Sequence, residues 1–171
     1  MVRLKTRYIL FEILYPQRNT IPIEESYDTV SKSIISLHQP SSQQVNGKQI
    51  IHLIKASLQK NFGDYGTSMA VGLTMRYFST RTSTGILRVS RSNCMYIVAA
   101  MTFISSLEDE KCIFNCIGVS GSIKKCEDRS IERSRLMIRN VGGTNVATES
   151  DSLTRMFTAG DASVEDSSHE G

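Results

Sequence analysis

The chain has 171 residues, of which 40% are hydrophobic and 22% are charged, and its formal net charge is +3. That length suits one domain with appendages and a buried core. The longest apolar run is about half of the roughly 20 residues that span a bilayer, and the start does not resemble a targeting peptide, so we expect a soluble intracellular protein.

The charge is distributed unevenly along the chain. Residues 1–147 hold 19 Lys and Arg against 11 Asp and Glu, a net charge of +8. Residues 148–171 hold one Arg and six acids, a net charge of −5. A basic body suits a polyanionic partner, although an ordinary solvated surface is an open alternative.

The first predicted element is a strand from about Arg7 to Tyr15, which Pro16 ends. Just before it, cations occupy alternate positions. They are Arg3, Lys5 and Arg7. In an extended chain these three side chains lie on one face. Residues 17–46 are interpreted mostly as an insertion, with room for a short helix over 27–37.

A helix is predicted over 47–62, because Ile50, Ile54 and Leu58 recur at helical spacing, and the "GDYG" turn at 63–66 follows it. Residues 68–79 then predict a strand, which forms a hairpin with a second strand over 85–91. The first of these strands places four apolar residues on one face. They are Val71, Leu73, Met75 and Tyr77.

The rest of the chain predicts a helix over 92–107, a strand over 113–119, a basic helix over 122–139 and a disordered acidic tail over 140–171. The order β-α-β-β-α-β is typical of the α+β ferredoxin-like or RRM-like fold. We therefore expect a four-stranded antiparallel sheet with helices on one face, plus a C-terminal helix, in a domain spanning 1–139.

Motifs for catalysis and for metal binding are missing from the sequence. The four cysteines form no paired C-x2-C knuckles, so no metal site is predicted. His52 has no carboxylate at helical spacing, and a P-loop, a nucleophile elbow and the Arg-bearing Gly loop of small phosphohydrolases do not occur. We therefore predict no catalytic residues, and a small ferredoxin-like enzyme is the weakest hypothesis.

Cations and hydroxyls accumulate near the predicted hairpin and the last helix. Arginine pairs well with phosphates, and short hydroxyls often accompany such contacts. The candidate RNA-binding residues are Arg3, Lys5, Arg7, Arg81, Thr82, Ser83, Thr84, Arg88, Arg91, Ser120, Lys124 and Lys125. The aromatic motif of single-strand RNA platforms does not occur, so we expect recognition of RNA backbone and folded shape rather than stacking of unpaired bases.

The helix over 92–107 is more apolar than a single buried face requires. The candidate protein-interface residues are Tyr96, Ala99, Ala100 and Phe103. Either a protein partner or the C-terminal helix of the same chain covers them. A protein-interaction module of another RNA-processing assembly is therefore the second hypothesis.

Four stretches carry a resemblance to a known family. "MVRLKTRYILFEI", "GDYG", "YFSTRTSTGILR" and "VSGSIKKCE", in this order and spacing, resemble the Pop-five protein subunit family of ribonuclease P and ribonuclease MRP. The resemblance covers roughly residues 1–130 and fails over the insertion at 17–46. None of the four is a catalytic signature, but together they are specific.

The resemblance implies a non-catalytic subunit of an RNA-based enzyme. The catalytic RNA holds Mg²⁺ and removes the 5′ leader from precursor tRNA, and the MRP particle processes precursor ribosomal RNA. The subunit binds no cofactor itself, lies near the leader, pairs through its helices with a barrel-shaped protein subunit, and works in the nucleus and nucleolus.

The family's RNA-facing motifs match this chain residue by residue. The matching positions are Arg3, Lys5 and Arg7; Arg81, Thr82, Ser83, Thr84, Gly85 and Arg88; and Ser120, Gly121, Lys124 and Lys125. Arg81 and Val89 depart modestly from the family's residues, which puts nothing central in doubt.

Overall fold

The computed structural model describes residues 5–16, 34 and 36–142. The chain divides into two compact units, Met1–Cys126 and Glu127–Gly171. Six strands and three helices are described. They are β1 (Thr6–Leu14), α1 (Gly47–Met69), β2 (Thr74–Ser79), β3 (Thr84–Ser90), α2 (Cys94–Thr102), β4 (Ser106–Leu107), β5 (Glu110–Lys111), β6 (Ile113–Ser120) and α3 (Ile123–Gly142).

The main sheet has the strand order β2-β3-β1-β6, and every neighbouring pair is antiparallel. β4 and β5 form a separate small hairpin. The predicted α+β fold, with a four-stranded antiparallel sheet and a C-terminal helix, is confirmed. None of the helices in the described part of the chain combines the length and apolarity needed to cross a bilayer.

β1 is buried on both of its faces because apolar residues occupy consecutive positions. Ile9, Phe11 and Ile13 belong to the main core, which also contains buried residues of α1 and α2. Leu10 belongs to a second cluster, together with Ile86 and Cys126. This outward cluster lies on the face of the sheet opposite α1 and α2, which we call the outward face. Successive side chains of a strand point to opposite faces, so β1 forms the centre of two packing layers.

α1 begins with a capping box and continues further than predicted. Asn46 accepts a hydrogen bond from the backbone of Gln49, whose side chain accepts one from the backbone of Asn46. Gly63 interrupts the helix with φ of 60°, as the predicted turn requires, but helical residues resume up to Met69. The predicted strand over 68–79 is therefore too long, because β2 begins only at Thr74.

A β-bulge at Arg76 overturns the predicted face of β2. Met75 pairs with Leu87 and Tyr77 pairs with the adjacent Ile86, so Arg76 is the extra residue. Met75 packs against the main core, whereas Tyr77 packs against the outward cluster. Val71, predicted on the same face, lies in the turn before β2 and is 72% exposed.

α2 is shorter than the predicted helix over 92–107. It ends at Thr102, and the chain then forms the β4–β5 hairpin. The two residues between these strands, Glu108 and Asp109, have φ of 50° and 65°, the left-handed geometry of a two-residue hairpin turn. The sequence over 92–107 is apolar without a helical periodicity, so it does not indicate where the helix ends and the hairpin begins.

The first turn of α3 lies on the outward face of the sheet. Ile123 and Cys126 pack with Leu10 and Ile86, and the Cys126 thiol donates to the carbonyl of Tyr8 at 3.6 Å. This turn therefore lies on the face opposite α2. Arg3, residues 17–33 and 35 of the predicted insertion, and residues 143–171 of the predicted tail lie outside the described residues.

Candidate nucleic-acid interface

The structure brings five candidate cations to one edge of the sheet, which we term the basic edge: Lys5, Arg7, Arg91, Lys124 and Lys125. β1 begins here, and β3 and β6 end here, because Thr6 pairs with Ser90 and Tyr8 pairs with Ser120. The backbone N–H of Arg91 donates to the carbonyl of Lys5 at 2.8 Å. Since β6 ends at Ser120 and α3 begins at Ile123, Lys124 and Lys125 follow directly.

The cations of the basic edge have few acidic neighbours in the sequence, and the nearest are Glu127 and Asp128, three and four residues after Lys124. The first acid of the chain is Glu12, and no Asp or Glu occurs over 65–107 or over 111–126. Within the described part of the chain, none of the five side chains forms an ion pair. Lys5, Arg91, Lys124 and Lys125 are exposed, whereas Arg7 is half-buried. Such a surface attracts polyanions.

Arg7 is the least exposed cation of the basic edge. Its guanidinium donates one hydrogen bond to the carbonyl of Thr6 at 2.9 Å, which leaves further donors for a ligand. Burial and the neighbouring Cys116 raise the pKa of the Cys94 thiol, and the charge of Arg7 opposes this rise. The Ser122 hydroxyl accepts a long hydrogen bond from the backbone of Lys125, 3.3 Å away, at the start of α3.

The predicted hairpin residues lie at the opposite edge of the sheet, and two of them are not available to a ligand. Ser83 is 1% exposed and Thr84 is 8% exposed. The Ser83 hydroxyl donates to the carbonyl of Gln39, and the Thr84 hydroxyl donates to the carbonyl of Thr82. The prediction that these two hydroxyls face RNA is not supported, because internal hydrogen bonds occupy them.

The remaining hairpin candidates are separated from the basic edge by the length of a strand. Arg81 is exposed and Thr82 is half-buried in the loop before β3. β3 has seven residues, so the length of the strand alone, about 20 Å at a rise of about 3.3 Å per residue, separates this loop from Arg91. Arg88 is exposed between the two ends. The candidate RNA-binding residues therefore form two regions rather than one.

Of the four predicted protein-interface residues, one is buried in the core and three are at least partly accessible. Ala100 is fully buried in the main core, so it is not available to a partner. Phe103 is 59% exposed and lies 6.3 Å from Phe62, ring centre to ring centre. Tyr96 packs edge-to-face against Phe62 and Tyr65, and Tyr65 is 58% exposed. Ala99 is half-buried.

The four rings form an aromatic cluster, which we define as Phe62, Tyr65, Tyr96 and Phe103. Next to it lies an open groove. The groove is lined by Leu53, Ala56, Ser57, Lys60, Asn61, Phe103, Ile104, Ser105 and Ser106. Exposed aromatic side chains beside a groove are typical of protein–protein contacts.

A carboxylate–histidine pair was missed in the sequence. Glu12 is 4% exposed in the middle of β1, and its carboxylate lies 3.6 Å from Nε2 of His38. Asn115 donates to the same carboxylate at 2.7 Å, and Nδ1 of His38 bonds the carbonyl of Ile34 at 2.7 Å. The pair joins β1 to the end of the predicted insertion, 26 residues away in sequence, where no local spacing could indicate it.

Metal-ligating residues do not gather in the described part of the chain: no group of three or more His, Cys, Asp or Glu side chains is placed to hold an ion there. All four cysteines are free thiols. Burial, followed by the nearby Glu110, raises the pKa of the Cys112 thiol to about 11. A neutral buried thiol behaves as a small apolar side chain.

The chain is similar to known protein subunits of ribonuclease P and ribonuclease P/MRP. The chain is 43% identical over 138 residues to the ribonuclease P/MRP protein subunit POP5 of Saccharomyces cerevisiae, a match covering 78% of each chain. It is 39% identical over 142 residues to the protein of the same name from Schizosaccharomyces pombe, covering 82% of this chain and 94% of that protein.

A more distant relative is ribonuclease P protein component 2 of Pyrococcus furiosus, 28% identical over 102 residues, a match covering 60% of this chain and 84% of that protein. One chain of the cryo-EM structure of yeast ribonuclease MRP matches 80% of this chain and 98% of its own length, with a TM-score of 0.43 and 9% identity. The model of the Rpp14/Pop5 family matches residues 7–131. The chain therefore belongs to the Rpp14/Pop5 family.

Proposed function

We propose that the chain is a protein subunit of the nuclear ribonucleoproteins ribonuclease P and ribonuclease MRP, and that it supports the catalytic RNA without catalysing cleavage itself. Two yeast relatives, each a ribonuclease P/MRP protein subunit POP5, support this role. The observation that carries an RNA contact is the basic edge, whose cations have no acidic partner among the described residues. Phosphate contacts of this kind position a protein on RNA.

In this proposal the RNA carries out the cleavage, and this chain binds phosphates. The RNA cleaves the 5′ leader of precursor tRNA, or processes precursor ribosomal RNA in the MRP particle, with Mg²⁺ bound to the RNA. Lys5, Arg91, Lys124 and Lys125 hold phosphates of the RNA or of the leader, and Arg7 adds a fixed guanidinium. Arg3 extends this row in the sequence. The particle works in the nucleus and the nucleolus.

A protein partner covers the aromatic cluster. Tyr65 and Phe103 remain more than half exposed in the isolated chain, and burying two such rings stabilises an interface by a few kcal/mol. The barrel-shaped subunit that accompanies this family is the partner we assign to this surface. The competing role, a protein-interaction module without RNA, relies on the same cluster and treats the basic edge as incidental.

The salt dependence of RNA binding tests the role of the basic edge. The full chain is titrated with a labelled RNA at several salt concentrations, as wild type and as the Lys124→Ala/Lys125→Ala variant. We expect the variant to lower the slope of log K against log salt by about 0.7–0.9 for each phosphate that the protein no longer binds.

The matched control is Lys48→Ala/Lys55→Ala, which removes the same charge from exposed positions of α1. We expect it to leave the slope unchanged. Equal effects of the two variants would show that only the net charge matters, and the proposed contact at the basic edge would then be wrong.

A further inference from the structure

One cross-strand row on the outward face of the sheet combines an aromatic ring with a guanidinium. Tyr8 of β1 pairs with Ser120 of β6 on one side and with Arg88 of β3 on the other. Arg88 in turn pairs with Thr74 of β2. Neighbouring strands lie about 4.8 Å apart, so the four residues form a line across the whole sheet.

The alternation of the strands places this row on the outward face. Ile9 next to Tyr8, and Leu87 and Val89 next to Arg88, belong to the main core on the helix-covered face. Tyr8 packs against the outward cluster instead. Arg88 and Thr74 are exposed, and Tyr8 and Ser120 are half-buried. The row is therefore open to a ligand.

The next row along the strands is closed. Leu10 and Ile86, which pair with each other, are 0% and 1% exposed. Ile123 and Cys126 from the first turn of α3 pack over them. On this face the row of Tyr8 and Arg88 is therefore accessible to a ligand, whereas the row of Leu10 and Ile86 is not, and the accessible row borders the basic edge.

We infer that Tyr8 and Arg88 bind one unpaired nucleotide of the RNA, an inference that rests on the proposed function. Tyrosine rings and guanidinium planes are the surfaces on which unstacked bases are held. Arg91 directly follows β3 and lies three residues after Arg88. It is therefore a nearby cation for the phosphate next to the bound nucleotide. Hydroxyls of Thr74 and Ser120 flank the pair and offer donors and acceptors to the base edge or the 2′-OH.

The size of the open row sets the number of bases. RNA-recognition modules stack two or three bases on their sheets. Here the row around Leu10 is closed, and the row of Thr6 and Ser90 carries neither a ring nor a guanidinium, so Tyr8 and Arg88 offer a surface for one base. The expectation from the sequence, that the protein reads only backbone and folded shape, is thereby refined: one base is read at the rim of the sheet, beside the phosphate contacts.

The test compares two RNA probes that carry the same number of phosphates, a single strand and a closed hairpin duplex. The single strand carries 2-aminopurine, whose fluorescence is quenched by stacking, at one position at a time. Full-length wild type, Tyr8→Leu and the control Tyr8→Phe are titrated with both. We expect Tyr8→Leu to weaken single-strand binding about 5- to 100-fold, the effect of removing one stacking interaction, and to leave duplex binding unchanged.

Tyr8→Phe keeps the ring, so we expect wild-type affinity and wild-type quenching. Tyr8 also packs against the outward cluster, so Tyr8→Leu could weaken binding by destabilising the fold. A second variant therefore tests the same site at an exposed position. Arg88→Lys keeps the charge of an exposed position and removes the planar guanidinium. It should weaken only single-strand binding and leave the salt dependence of duplex binding unchanged.

Two outcomes would overturn the inference. If Tyr8→Leu and Arg88→Lys bind both probes like wild type, while Lys124→Ala/Lys125→Ala weakens both, the nucleotide subsite is wrong and the RNA contact at the basic edge stands. If wild type binds neither probe, the proposed function fails together with the subsite.

Discussion

Ser41 donates a hydrogen bond from its hydroxyl to the hydroxyl oxygen of Ser83, 2.9 Å away and 42 residues later in the sequence. The bond is the middle of a chain, since Tyr15 donates to Ser41 at 2.8 Å and Ser83 donates to the carbonyl of Gln39 at 2.7 Å. The backbone N–H of Ser41 also donates to the carbonyl of Thr80. The loop between β2 and β3 is thus fastened to residues 39–41.

Ser83→Ala tests whether this hydroxyl is structural. Ser41 would lose its acceptor in a buried place, so we expect a loss of about 1–3 kcal/mol in the free energy of unfolding. Ser83→Gly removes the same hydroxyl but suits the observed φ of 51°, so its loss should be smaller. Urea unfolding measures both. A stable Ser83→Ala variant with weakened RNA binding would restore the original assignment of this hydroxyl to RNA.

Gly85→Ala tests the packing of β3 against β1. A Cβ at Gly85 would lie 2.4 Å from Cζ of Phe11, a ring that is fully buried and stacked on Phe114. We expect a loss of about 1–3 kcal/mol or more in stability, because the ring has no space to move. Gly121→Ala is the control, since its nearest neighbour is Arg7 at 3.8 Å. Equal stability of the two variants would contradict this account.

Phe103→Asp tests the aromatic cluster as a protein interface. Phe103 is 59% exposed, so the free energy of unfolding of the isolated variant should lie within about 0.5 kcal/mol of the wild-type value. Purified from cells, it should lose its protein partner, because a charge would be buried at the contact. Val71→Asp, at a position 72% exposed outside the cluster, should keep the partner. Partner recovery with both variants would exclude this surface.

Because of the buried Cys112 thiol, we expect the free energy of unfolding to fall as the pH rises through the alkaline range. Its pKa is about 11 in the folded chain against an ordinary value of 9.0. Below pH 9 the thiol is neutral in both states; between pH 9 and about 11 only the unfolded chain loses the proton, so stability falls as pH rises. Urea unfolding under reducing conditions at pH 8.5 and 10.5 should show a smaller fall for Cys112→Ala. An identical fall would contradict the raised pKa.

The sequence predicts the types of the main elements and their order, because these depend on local periodicity and on turn residues. Ile50, Ile54 and Leu58 are fully buried as the helical pattern requires. Gly63 breaks the helix as predicted, but nothing local showed that helical residues resume after it. The boundaries therefore shift where the periodicity ends, as at β2 and α2.

Local patterns could not predict the effects of pairing between distant segments. The bulge at Arg76 sends Met75 and Tyr77 to opposite faces, which depends on the register with β3. The burial of Ser83 depends on residues 39–41, and the pair of Glu12 with His38 joins two segments far apart in sequence. The sequence predicts the cations of the basic edge one by one as RNA contacts, whereas their gathering at one edge and their separation from the hairpin loop depend on the pairing of the strands.

The most direct test of the central claim is to purify the tagged full-length chain from its own cells, as wild type and as Lys124→Ala/Lys125→Ala, and to sequence the RNA that accompanies it. Wild type should recover the RNAs of ribonuclease P and MRP, with cleavage of precursor tRNA in the eluate. The variant should recover less of both RNAs while keeping its protein partners. Recovery of partner proteins by wild type with neither RNA would contradict a ribonucleoprotein subunit and favour a protein-interaction module.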